Sequence, residues 1–443
     1  MLKTFRIGGI HPPENKLSSD KKIELLPLPE RVFLPLSQHI GIPAVPIVKK
    51  GDEVKAGTVI AKSGGFVSAA VHSSVSGKVV KIEEITDTSG YKRPAVFIDV
   101  EGDEWEEHID LSPSFSEGSE LSSTEIIEKI EAAGIVGLGG ATFPTRVKVT
   151  PSPDMKAEYL LINAAECEPY LTSDHALMSE KGKEILAGAR LLMKAVGADK
   201  IRIGIENNKK EVINHLSALA SDYPEIQVVA LKTKYPQGGE KQLVEALTGR
   251  RIKSGALPVS VGAVVQNVGT AFAVYEAVLK NKPLIERVVT VTGKSLKNPC
   301  NVRVRLGTPI SELIRFAGGM PEDTGKIIAG GPMMGKAIVS PEVPVTKGCS
   351  GVLLMPANES LRKRTQNCIR CAKCVQVCPM GLVPSFLMNV SEFEDWNKAE
   401  KFDITDCIEC GSCSYTCPAN RPLLDYIRQG KGKVLKMIRE RKN

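Results

Sequence analysis

Aromatic residues and long apolar runs are scarce in this chain of 443 residues. Trp, Tyr and Phe together make up 5% of it, and the densest basic stretch, residues 428–442, contains none of them. We therefore expect no nucleic-acid partner. No stretch approaches the roughly 20 apolar residues of a membrane-spanning helix, which predicts no transmembrane segment. The N-terminal sequence MLKTFRIGGIHPPENK lacks the apolar region of a signal peptide, so a cytoplasmic location is expected.

Charge and cysteine usage narrow the class of protein further. The formal net charge of +7 is modest. A solvated helix surface and a docking surface for an acidic partner or a membrane both fit the basic stretch 428–442. Three of the 11 cysteines, Cys167, Cys300 and Cys349, are too scattered for a disulfide framework. This usage indicates a reducing compartment.

The other eight cysteines form two runs with the same spacing. Each run reads C-x2-C-x2-C-x3-C and is followed by proline, at Pro379 and at Pro418. This spacing is typical of proteins with two [4Fe–4S] clusters, in which the fourth cysteine of each run binds the other cluster. The predicted ligands are Cys368, Cys371, Cys374 and Cys417 for cluster 1, and Cys407, Cys410, Cys413 and Cys378 for cluster 2. The alternative is structural zinc, but zinc does not require a doubled run with both prolines.

The remaining sequence predicts a multidomain protein with α+β and α/β parts. An N-terminal extension, residues 1–29, precedes a β-rich segment over 30–102. The phrase VHSSVSGKV at 71–79 resembles biotinyl and lipoyl carrier domains, which implies a barrel-sandwich hybrid fold. No counterpart of the modified carrier lysine is evident, so we expect a structural module. His72 is predicted to be a satisfied turn histidine, with metal ligation as the alternative.

Residues 120–285 predict a doubly wound, Rossmann-like α/β domain. Buried parallel strands are expected at 159–165, 200–207, 226–232 and 263–268, with helices between them at 179–196 and 208–220. Ligands of such sheets lie beyond the carboxyl ends of the strands.

Two smaller domains are expected after the α/β domain. Residues 286–340 suggest a small sheet crossed by one helix, the β-grasp pattern, and this domain is a possible ligand-binding module. A ferredoxin-like module over 360–443 follows, with a helical spacer at 384–402 and a final helix at about 422–441.

A glycine-rich loop marks a candidate nucleotide site in the α/β domain. GLGGATFPTRVK at 137–148 places Gly137, Gly139 and Gly140 where backbone N–H groups can form an anion-binding nest, although a plain tight turn fits equally well. Three other segments follow predicted strands or turns and carry polar side chains suited to a nucleotide. They are INAAECEPY (162–170), YPQGGEKQL (235–243) and QNVGT (266–270).

Together these four segments resemble the flavin- and NADH-binding subunit of respiratory complex I. The resemblance implies that FMN lies against Gly137, Gly139, Gly140, Lys148, Asn163, Asn267 and Thr270. It implies that NAD(H) faces Phe143, Glu166, Glu168 and Glu240, with Gly238 in the adjoining glycine pair. This chain departs from the family pattern at four positions, which carry Leu138, Ala165, Gly239 and Gly269 in place of one arginine, one aspartate and two glutamates.

The order of these domains resembles the C subunits of Rnf electron-transport complexes over residues 1–430. That resemblance implies a peripheral subunit on the cytoplasmic face of the membrane, with an iron–sulfur subunit and integral membrane subunits as partners. It also implies ferredoxin:NAD+ oxidoreduction coupled to Na+ or H+ transport, with non-covalent FMN between NAD(H) and two [4Fe–4S] clusters. The alternatives are a non-catalytic relay or scaffold subunit, in which only the iron–sulfur module is active, and a stand-alone NADH:acceptor oxidoreductase.

Overall fold

The computed structural model describes residues 2–118, 120–150 and 155–441. Lys442, at the end of the predicted basic stretch, lies outside the described residues. The strands are β1 (Ile23–Leu25), β2 (Arg31–Pro35), β3 (Val45–Pro46), β4 (Glu53–Val54), β5 (Val59–Lys62), β6 (Val71–His72), β7 (Gly77–Thr86), β8 (Lys92–Val100), β9 (Tyr159–Ala164), β10 (Lys200–Glu206), β11 (Ile226–Leu231), β12 (Ala263–Asn267), β13 (Glu286–Thr292), β14 (Cys300–Arg305), β15 (Thr324–Ala329), β16 (Lys336–Ala337) and β17 (Gly351–Pro356).

The helices lie mainly in the second and last thirds of the chain. They are α1 (Ser123–Ala132), α2 (Thr145–Val149), α3 (Ser173–Glu180), α4 (Gly182–Val196), α5 (Lys210–Leu219), α6 (Glu240–Thr248), α7 (Val268–Leu279), α8 (Ile310–Phe316), α9 (Ala357–Ser360), α10 (Lys373–Gln376), α11 (Pro384–Glu392), α12 (Trp396–Lys401), α13 (Ser412–Thr416) and α14 (Leu423–Glu440).

The α/β domain, called here the nucleotide-type domain, is built on a parallel sheet in the order β11-β10-β9-β12. Because side chains alternate along a strand, Leu160 and Ile162 of β9 enter one hydrophobic cluster with α4 and α7, while Tyr159 and Leu161 enter another with α6. Helices therefore cover both faces of the sheet. The predicted parallel strands and intervening helices are confirmed.

The N-terminal β-rich segment forms two antiparallel sheets, β2-β8-β7-β4 and β3-β5-β6. Its core continues into the domain that follows the α/β domain, since Val32 and Ile60 belong to the same hydrophobic cluster as Val289 and Val302. The prediction that His72 lies in a turn is wrong. His72 lies buried in strand β6, and its Nδ1 has no hydrogen-bond partner within the described ranges.

The sheet of the predicted β-grasp domain extends beyond the predicted boundaries, residues 286–340, in both directions. Its order is β1-β14-β13-β17-β15-β16. Strand β1 comes from the N-terminal extension and pairs in parallel with β14. Strand β17 begins at Gly351, after the predicted boundary at residue 340, and is buried between β13 and β15. The domain therefore needs strands from outside 286–340.

The two cysteine runs adopt the same local backbone. Arg370 and Glu409, at equivalent positions of the two runs, have φ of 55° and 57°. Ala372 and Gly411 are also equivalent, with φ of 57° and 77°, and a short helix, α10 or α13, follows each. The predicted spacer forms α11 and α12, and the predicted final helix is α14. The sequence repeat is therefore a structural repeat.

Candidate functional site

The glycine loop, residues 137–143, closes on itself and borders open space. The backbone N–H of Gly137 donates to the carbonyl oxygen of Phe143 over 2.8 Å. Gly140 has φ of +140°, and no atom beyond its chain neighbours lies within 4 Å of the position a Cβ would take. Phe143 is partly exposed. A bound anion can therefore approach this backbone without side-chain obstruction.

The same loop is held against the carboxyl end of β12. The Leu138 N–H donates to the Thr270 hydroxyl, 2.9 Å away at the start of α7. A Cβ on Gly139 would lie 3.0 Å from the Cβ of Asn267. Only glycine at position 139 leaves the present spacing unchanged. Leu138, which replaces the arginine of the resembled family, is buried.

Two asparagines lie side by side at the carboxyl ends of the neighbouring strands β9 and β12. Asn163 and Asn267 are in register. The Asn163 amide donates to the carbonyl oxygen of Gly238 over 2.8 Å, and the Asn267 amide donates to the carboxylate of Asp174 over the same 2.8 Å. The Asn267 side-chain oxygen accepts from the N–H of Gly269 and caps α7. Predicted site residues from three separate segments therefore meet here.

Lys148 and Glu240 form an ion pair beside these strands. The Lys148 ammonium lies 2.7 Å from the Glu240 carboxylate and donates to the carbonyl oxygen of Val265 over 3.2 Å. The two side chains are 29% and 44% exposed, so the pair adds little to stability. Lys148, predicted to contact FMN, and Glu240, predicted to contact NAD(H), therefore contact each other.

Glu166 uses its carboxylate within the chain. It has a left-handed backbone, with φ of 48°, and accepts hydrogen bonds from the backbone N–H groups of Asp174 at 2.7 Å and His175 at 3.2 Å. These N–H groups belong to the first turn of α3 and have no partner within the helix. The carboxylate therefore fixes the loop 166–172 against α3.

Glu168 also has internal partners. Its carboxylate accepts from the backbone N–H groups of Met333 at 3.1 Å and Met334 at 2.8 Å. Burial raises the pKa of Glu168 to about 7, against the lowering effect of these hydrogen bonds. Glu168 thus ties the nucleotide-type domain to the loop after β15. Contact of Glu166 and Glu168 with NAD(H) stays a prediction.

Two lysines that sequence reasoning missed stabilise the same loop. The Lys16 ammonium donates to the carbonyl oxygens of Glu166, Glu168 and Leu171, at 2.8, 2.9 and 2.6 Å. Lys209 is 2% exposed, and its ammonium donates to the carbonyl oxygen of Ala165 over 2.8 Å. Lys16 lies 150 residues from Glu166 in sequence, so no local pattern could have linked them.

The four cysteines predicted for cluster 2 line one cavity. Cys378, Cys407, Cys410 and Cys413 surround it together with apolar side chains that include Leu387. Burial, and then the nearby thiols of Cys407, Cys410 and Cys378, raise the pKa of the Cys413 thiol to about 12. A cavity lined by four thiols and otherwise apolar fits an iron–sulfur cluster by the chemistry of its donors.

The cysteines predicted for cluster 1 lie nearer the surface. Cys374 and Cys417 pack against the same small hydrophobic cluster, whereas Cys368 and Cys371 are exposed. Over 2–118, 120–150 and 155–441, no three His, Cys, Asp or Glu side chains converge as ligands of a single metal ion. Thiolates of a cubane bind different iron atoms and need not converge in that way.

The cluster 2 cysteines adjoin the nucleotide-type domain directly. The Tyr235 hydroxyl donates to the carbonyl oxygen of Cys410 over 2.8 Å and lies 3.4 Å from the Glu168 carboxylate. Cys167 packs in one hydrophobic cluster with Tyr235 and Cys410, and its sulfur accepts from the N–H of Gly238 at 3.3 Å. One tyrosine therefore spans from the 162–170 segment to a predicted cluster ligand.

An N-terminal strap, residues 5–18, threads between these two parts. The Gly9 N–H donates to the carbonyl oxygen of Val377 over 2.9 Å, and Ile10 pairs with Tyr235 through two backbone hydrogen bonds. A Cβ on Gly8 would lie 2.5 Å from the carbonyl carbon of Cys378. The strap thus contacts both the cysteine loop and the nucleotide-type domain, and it carries Lys16.

Four family models match the chain in succession. They are the RnfC barrel sandwich hybrid domain over residues 3–103, the Nuo51 FMN-binding domain over 130–276, the SLBB domain over 288–337 and the 4Fe-4S dicluster domain over 360–418. The match over 360–418 favours iron–sulfur clusters over zinc.

Curated relatives match nearly the whole chain. The C subunit of the "Proton-translocating ferredoxin:NAD(+) oxidoreductase complex" of Clostridium ljungdahlii is 47% identical, over 97% of this chain and 93% of the relative. The chain belongs to the C-subunit family of ion-translocating oxidoreductase complexes. Another member, the C subunit of the "Na(+)-translocating ferredoxin:NAD(+) oxidoreductase complex" of Acetobacterium woodii, is 43% identical over 99% of this chain and 98% of its own length. The predicted resemblance to Rnf C subunits is confirmed.

A more distant likeness concerns the fold of this chain alone. "Crystal structure of NAD+-reducing [NiFe]-hydrogenase in the air-oxidized state" superposes with a TM-score of 0.50 at 18% sequence identity, covering 71% of this chain and 66% of that one. Among the described residues, no helix has the length and apolar character needed to span a membrane.

Proposed function

We propose that this chain exchanges electrons between NAD(H) and two [4Fe–4S] clusters, with FMN bound in its α/β domain. When bound, FMN supplies the conversion between two-electron exchange with NAD(H) and one-electron exchange with clusters. The observation that carries the proposal is the contact between the two parts. The Tyr235 hydroxyl lies 2.8 Å from the carbonyl oxygen of Cys410 and 3.4 Å from Glu168, so a cluster ligand and the nucleotide loop share one side chain.

The residues present fit FMN at the carboxyl ends of β9 and β12. The open backbone at Gly140 and the partly exposed ammonium of Lys148 would hold the phosphate. Gly137, Gly139, Asn163, Asn267 and Thr270 would line the rest of this site. A doubly wound, Rossmann-like topology accounts for their convergence at one edge of the sheet.

Three of the predicted NAD(H) contacts remain accessible from solvent. They are Phe143, Gly238 and Glu240. Glu166 and Glu168 spend their carboxylates on backbone N–H groups of α3 and of the loop after β15. We propose that these two glutamates shape the loop that NAD(H) meets. The exposed Glu240 carboxylate is free to turn from Lys148 toward a ribose hydroxyl.

The iron–sulfur module would hold cluster 1 on Cys368, Cys371, Cys374 and Cys417, and cluster 2 on Cys407, Cys410, Cys413 and Cys378. Cluster 2 would then lie beside the nucleotide-type domain and cluster 1 near the surface. As a peripheral subunit on the cytoplasmic face of the membrane, the chain would serve ferredoxin:NAD+ oxidoreduction coupled to Na+ or H+ transport. Its partners would be an iron–sulfur subunit and integral membrane subunits, and the β-grasp domain would join these modules.

An anaerobic NADH titration tests the proposal. The full chain is reconstituted with iron, sulfide and FMN and followed by absorbance and electron paramagnetic resonance. We expect flavin bleaching together with reduced-cluster signals. Lys148→Ala should weaken FMN binding by roughly tenfold or more, because one charge-assisted contact of about 1.4 kcal/mol is lost.

Lys156→Ala is the matched control, since Lys156 precedes the opposite, amino end of β9 and is 80% exposed. Equal FMN affinity in both variants would remove Lys148 from the site. Clusters that dithionite reduces but NADH does not would instead identify a relay subunit, the second candidate function. The exchanges at Leu138, Ala165, Gly239 and Gly269 favour that alternative.

A further inference from the structure

One face of the last helix, α14, lies against the cavity predicted for cluster 2. Leu424 and Ile427 line this cavity together with the four cysteines. Lys431 follows Ile427 by four residues, about one helical turn, and therefore lies on the same face of α14. The helical period thus places one lysine of the basic stretch 428–442 next to a predicted iron–sulfur site.

The Lys431 ammonium contacts the backbone of a predicted cluster 2 ligand. It donates to the carbonyl oxygen of Cys407 over 2.7 Å. The Lys431 side chain is 20% exposed, so salt and water screen its charge less than the charge of a fully exposed lysine. A cation is therefore fixed beside one ligand of the cluster.

The ion pairs around Lys431 do not cancel its charge. Glu409 accepts from Lys431 at 3.1 Å and from Arg428 at 3.0 Å, so one carboxylate faces two cations. Asp406, in the same loop, lies 3.7 Å from Lys241. These three cations and two carboxylates leave a net charge of +1 around the loop that carries the cluster 2 cysteines.

The cavity itself is poorly suited to screening this charge. Cys378, Cys410 and Cys413 are buried, and the rest of the lining is mainly apolar. A charge acts more strongly through such surroundings than through water. Reduction of a [4Fe–4S] cluster adds one electron, and a nearby cation stabilises the added negative charge. Net charge is one of the factors that set the reduction potential of a cluster.

The cations beside the cluster 1 cysteines differ in exposure. Arg370 occupies the position equivalent to Glu409 in the sequence repeat, and Lys373 follows it. Both are exposed, and neither forms an ion pair within the described part of the chain. Solvent and salt screen such charges. Lys431 is therefore the better placed of these cations to act on one cluster alone.

We propose that Lys431 raises the reduction potential of cluster 2 through its contact with the Cys407 backbone. It is a positioning residue, because it contacts a ligand of the cluster and no reacting atom. The inference rests on the proposed function and adds a residue that sets the energy of an electron on cluster 2. A raised potential would favour residence of the electron at the cluster that adjoins the nucleotide-type domain.

A redox titration of the reconstituted full chain tests this role. The chain is loaded with iron and sulfide and poised with dithionite and mediators, and the reduced clusters are followed by electron paramagnetic resonance. We expect Lys431→Gln to lower one midpoint potential, because the equilibrium constant for one-electron reduction should fall roughly fivefold, or about 40 mV at roughly 59 mV per tenfold change. Lys431→Arg, which keeps the charge, should restore the potential.

A second variant separates charge from structure. Glu409→Gln removes the carboxylate that faces Lys431 and Arg428, so the same midpoint potential should rise. Loss of the ion pair alone would move both variants in the same direction. Lys433→Gln is the matched control, since Lys433 is exposed on α14 and has no ion pair among the described residues. It should leave both midpoint potentials unchanged.

Two results would overturn the proposal. One is an unchanged midpoint potential in Lys431→Gln with the iron content preserved. The other is an equal shift of that same midpoint by Arg370→Gln, which would show that Lys431 does not act on one cluster alone.

The outcomes also separate this inference from the proposed function. Opposite shifts in Lys431→Gln and Glu409→Gln, in a chain whose clusters NADH does not reduce, would refute the proposed NAD(H) function and leave the role of Lys431 standing. Clusters that NADH reduces, with midpoint potentials that neither variant moves, would refute the role of Lys431 alone.

Discussion

At the scale of single residues, Lys16 stabilises a loop of the candidate site through its ammonium group. Its ammonium donates to three carbonyl oxygens of one loop, those of Glu166, Glu168 and Leu171. Hydrogen bonds to a charged group contribute about 1.5–3 kcal/mol each and are not additive. The loop also holds two residues with left-handed backbone, Glu166 at φ of 48° and Tyr170 at φ of 69°. Lys16 therefore stabilises a strained segment from outside it.

Lys16→Met should release this segment. Removing the ammonium leaves three carbonyl oxygens without their donor, so we expect faster hydrogen–deuterium exchange over residues 165–172 and NADH affinity lower by roughly tenfold. Lys21→Met, in the same N-terminal region and exposed, should change neither. Unchanged exchange in Lys16→Met, with the iron content preserved, would show that the loop holds its shape alone.

Glu168 gives a second prediction, on pH. Burial raises its pKa from the ordinary 4.5 to about 7, so between these values the folded chain keeps a proton that the unfolded chain releases. The contribution of Glu168 to the free energy of unfolding should therefore fall as pH rises through this window and level off above it. Glu168→Gln, which cannot ionise, should make the pH dependence shallower, and Glu206, whose pKa burial also raises to about 7, should account for part of the remainder.

The measurement is urea unfolding of the full chain by circular dichroism across the same pH window. Glu128→Gln, on the exposed face of α1, is the control and should keep the slope of the unmodified chain. A Glu168→Gln variant whose stability falls with pH as steeply as that of the unmodified chain would contradict this role of Glu168.

At the scale of elements, the strap and the cysteine loop are packed too closely for any side chain at Gly8. A Cβ there would lie 2.5 Å from the carbonyl carbon and oxygen of Cys378, and the residue has φ of +68°. We expect Gly8→Ala to displace Cys378 and to lower the iron content of reconstituted chain toward about half, since one of two clusters loses a ligand.

Gly90→Ala is a matched control for this substitution. Gly90 has φ of +79°, but no atom beyond its chain neighbours lies within 4 Å of its would-be Cβ. Both variants meet the left-handed backbone cost of roughly 1 kcal/mol, and only Gly8→Ala adds the clash. Equal iron content in the two variants would mean that the strap moves to relieve the clash and that the cysteine loop keeps its position.

The elements show which contacts local sequence can predict. The apolar run YLLINA is continuous because β9 is buried on both faces, and the cysteine spacing is set by cluster geometry. Strand β17 could not be assigned, because it joins its sheet between β13 and β15 from beyond residue 340.

The candidate site likewise has contacts that local sequence can predict and contacts that it cannot. Glycine and asparagine segments at strand ends could be predicted because such ends converge at one edge of a parallel sheet. The contacts from Lys16 to Glu166 and from Tyr235 to Cys410 span 150 and 175 residues. They depend on how whole domains pack, and neither residue stands in a motif that reveals its partner.

At the scale of the whole molecule, the iron–sulfur module has little core of its own. Apart from α14, its helices α10 to α13 have 4–9 residues, lengths that are not stable alone in water. Its hydrophobic cluster counts Cys378 among the buried members, with Cys407 packed against it. The α/β domain instead has a larger cluster on each side of its sheet. Stability should therefore depend on iron in one part and not in the other.

Removing iron from the full chain should expose the module selectively. We expect chymotrypsin to cleave iron-depleted chain first near Phe386 and Trp396, which pack in the module core, while Tyr275 in α7 stays protected. Tyr235 decides how far the change spreads, because its hydroxyl bond to Cys410 joins the two parts. Cleavage beside Tyr235 in step with Phe386 would mean that loss of cluster 2 opens the nucleotide loop as well. Simultaneous cleavage at Tyr275, read by mass spectrometry of the fragments, would contradict independent stability, because the cores on both faces of the parallel sheet would then depend on iron.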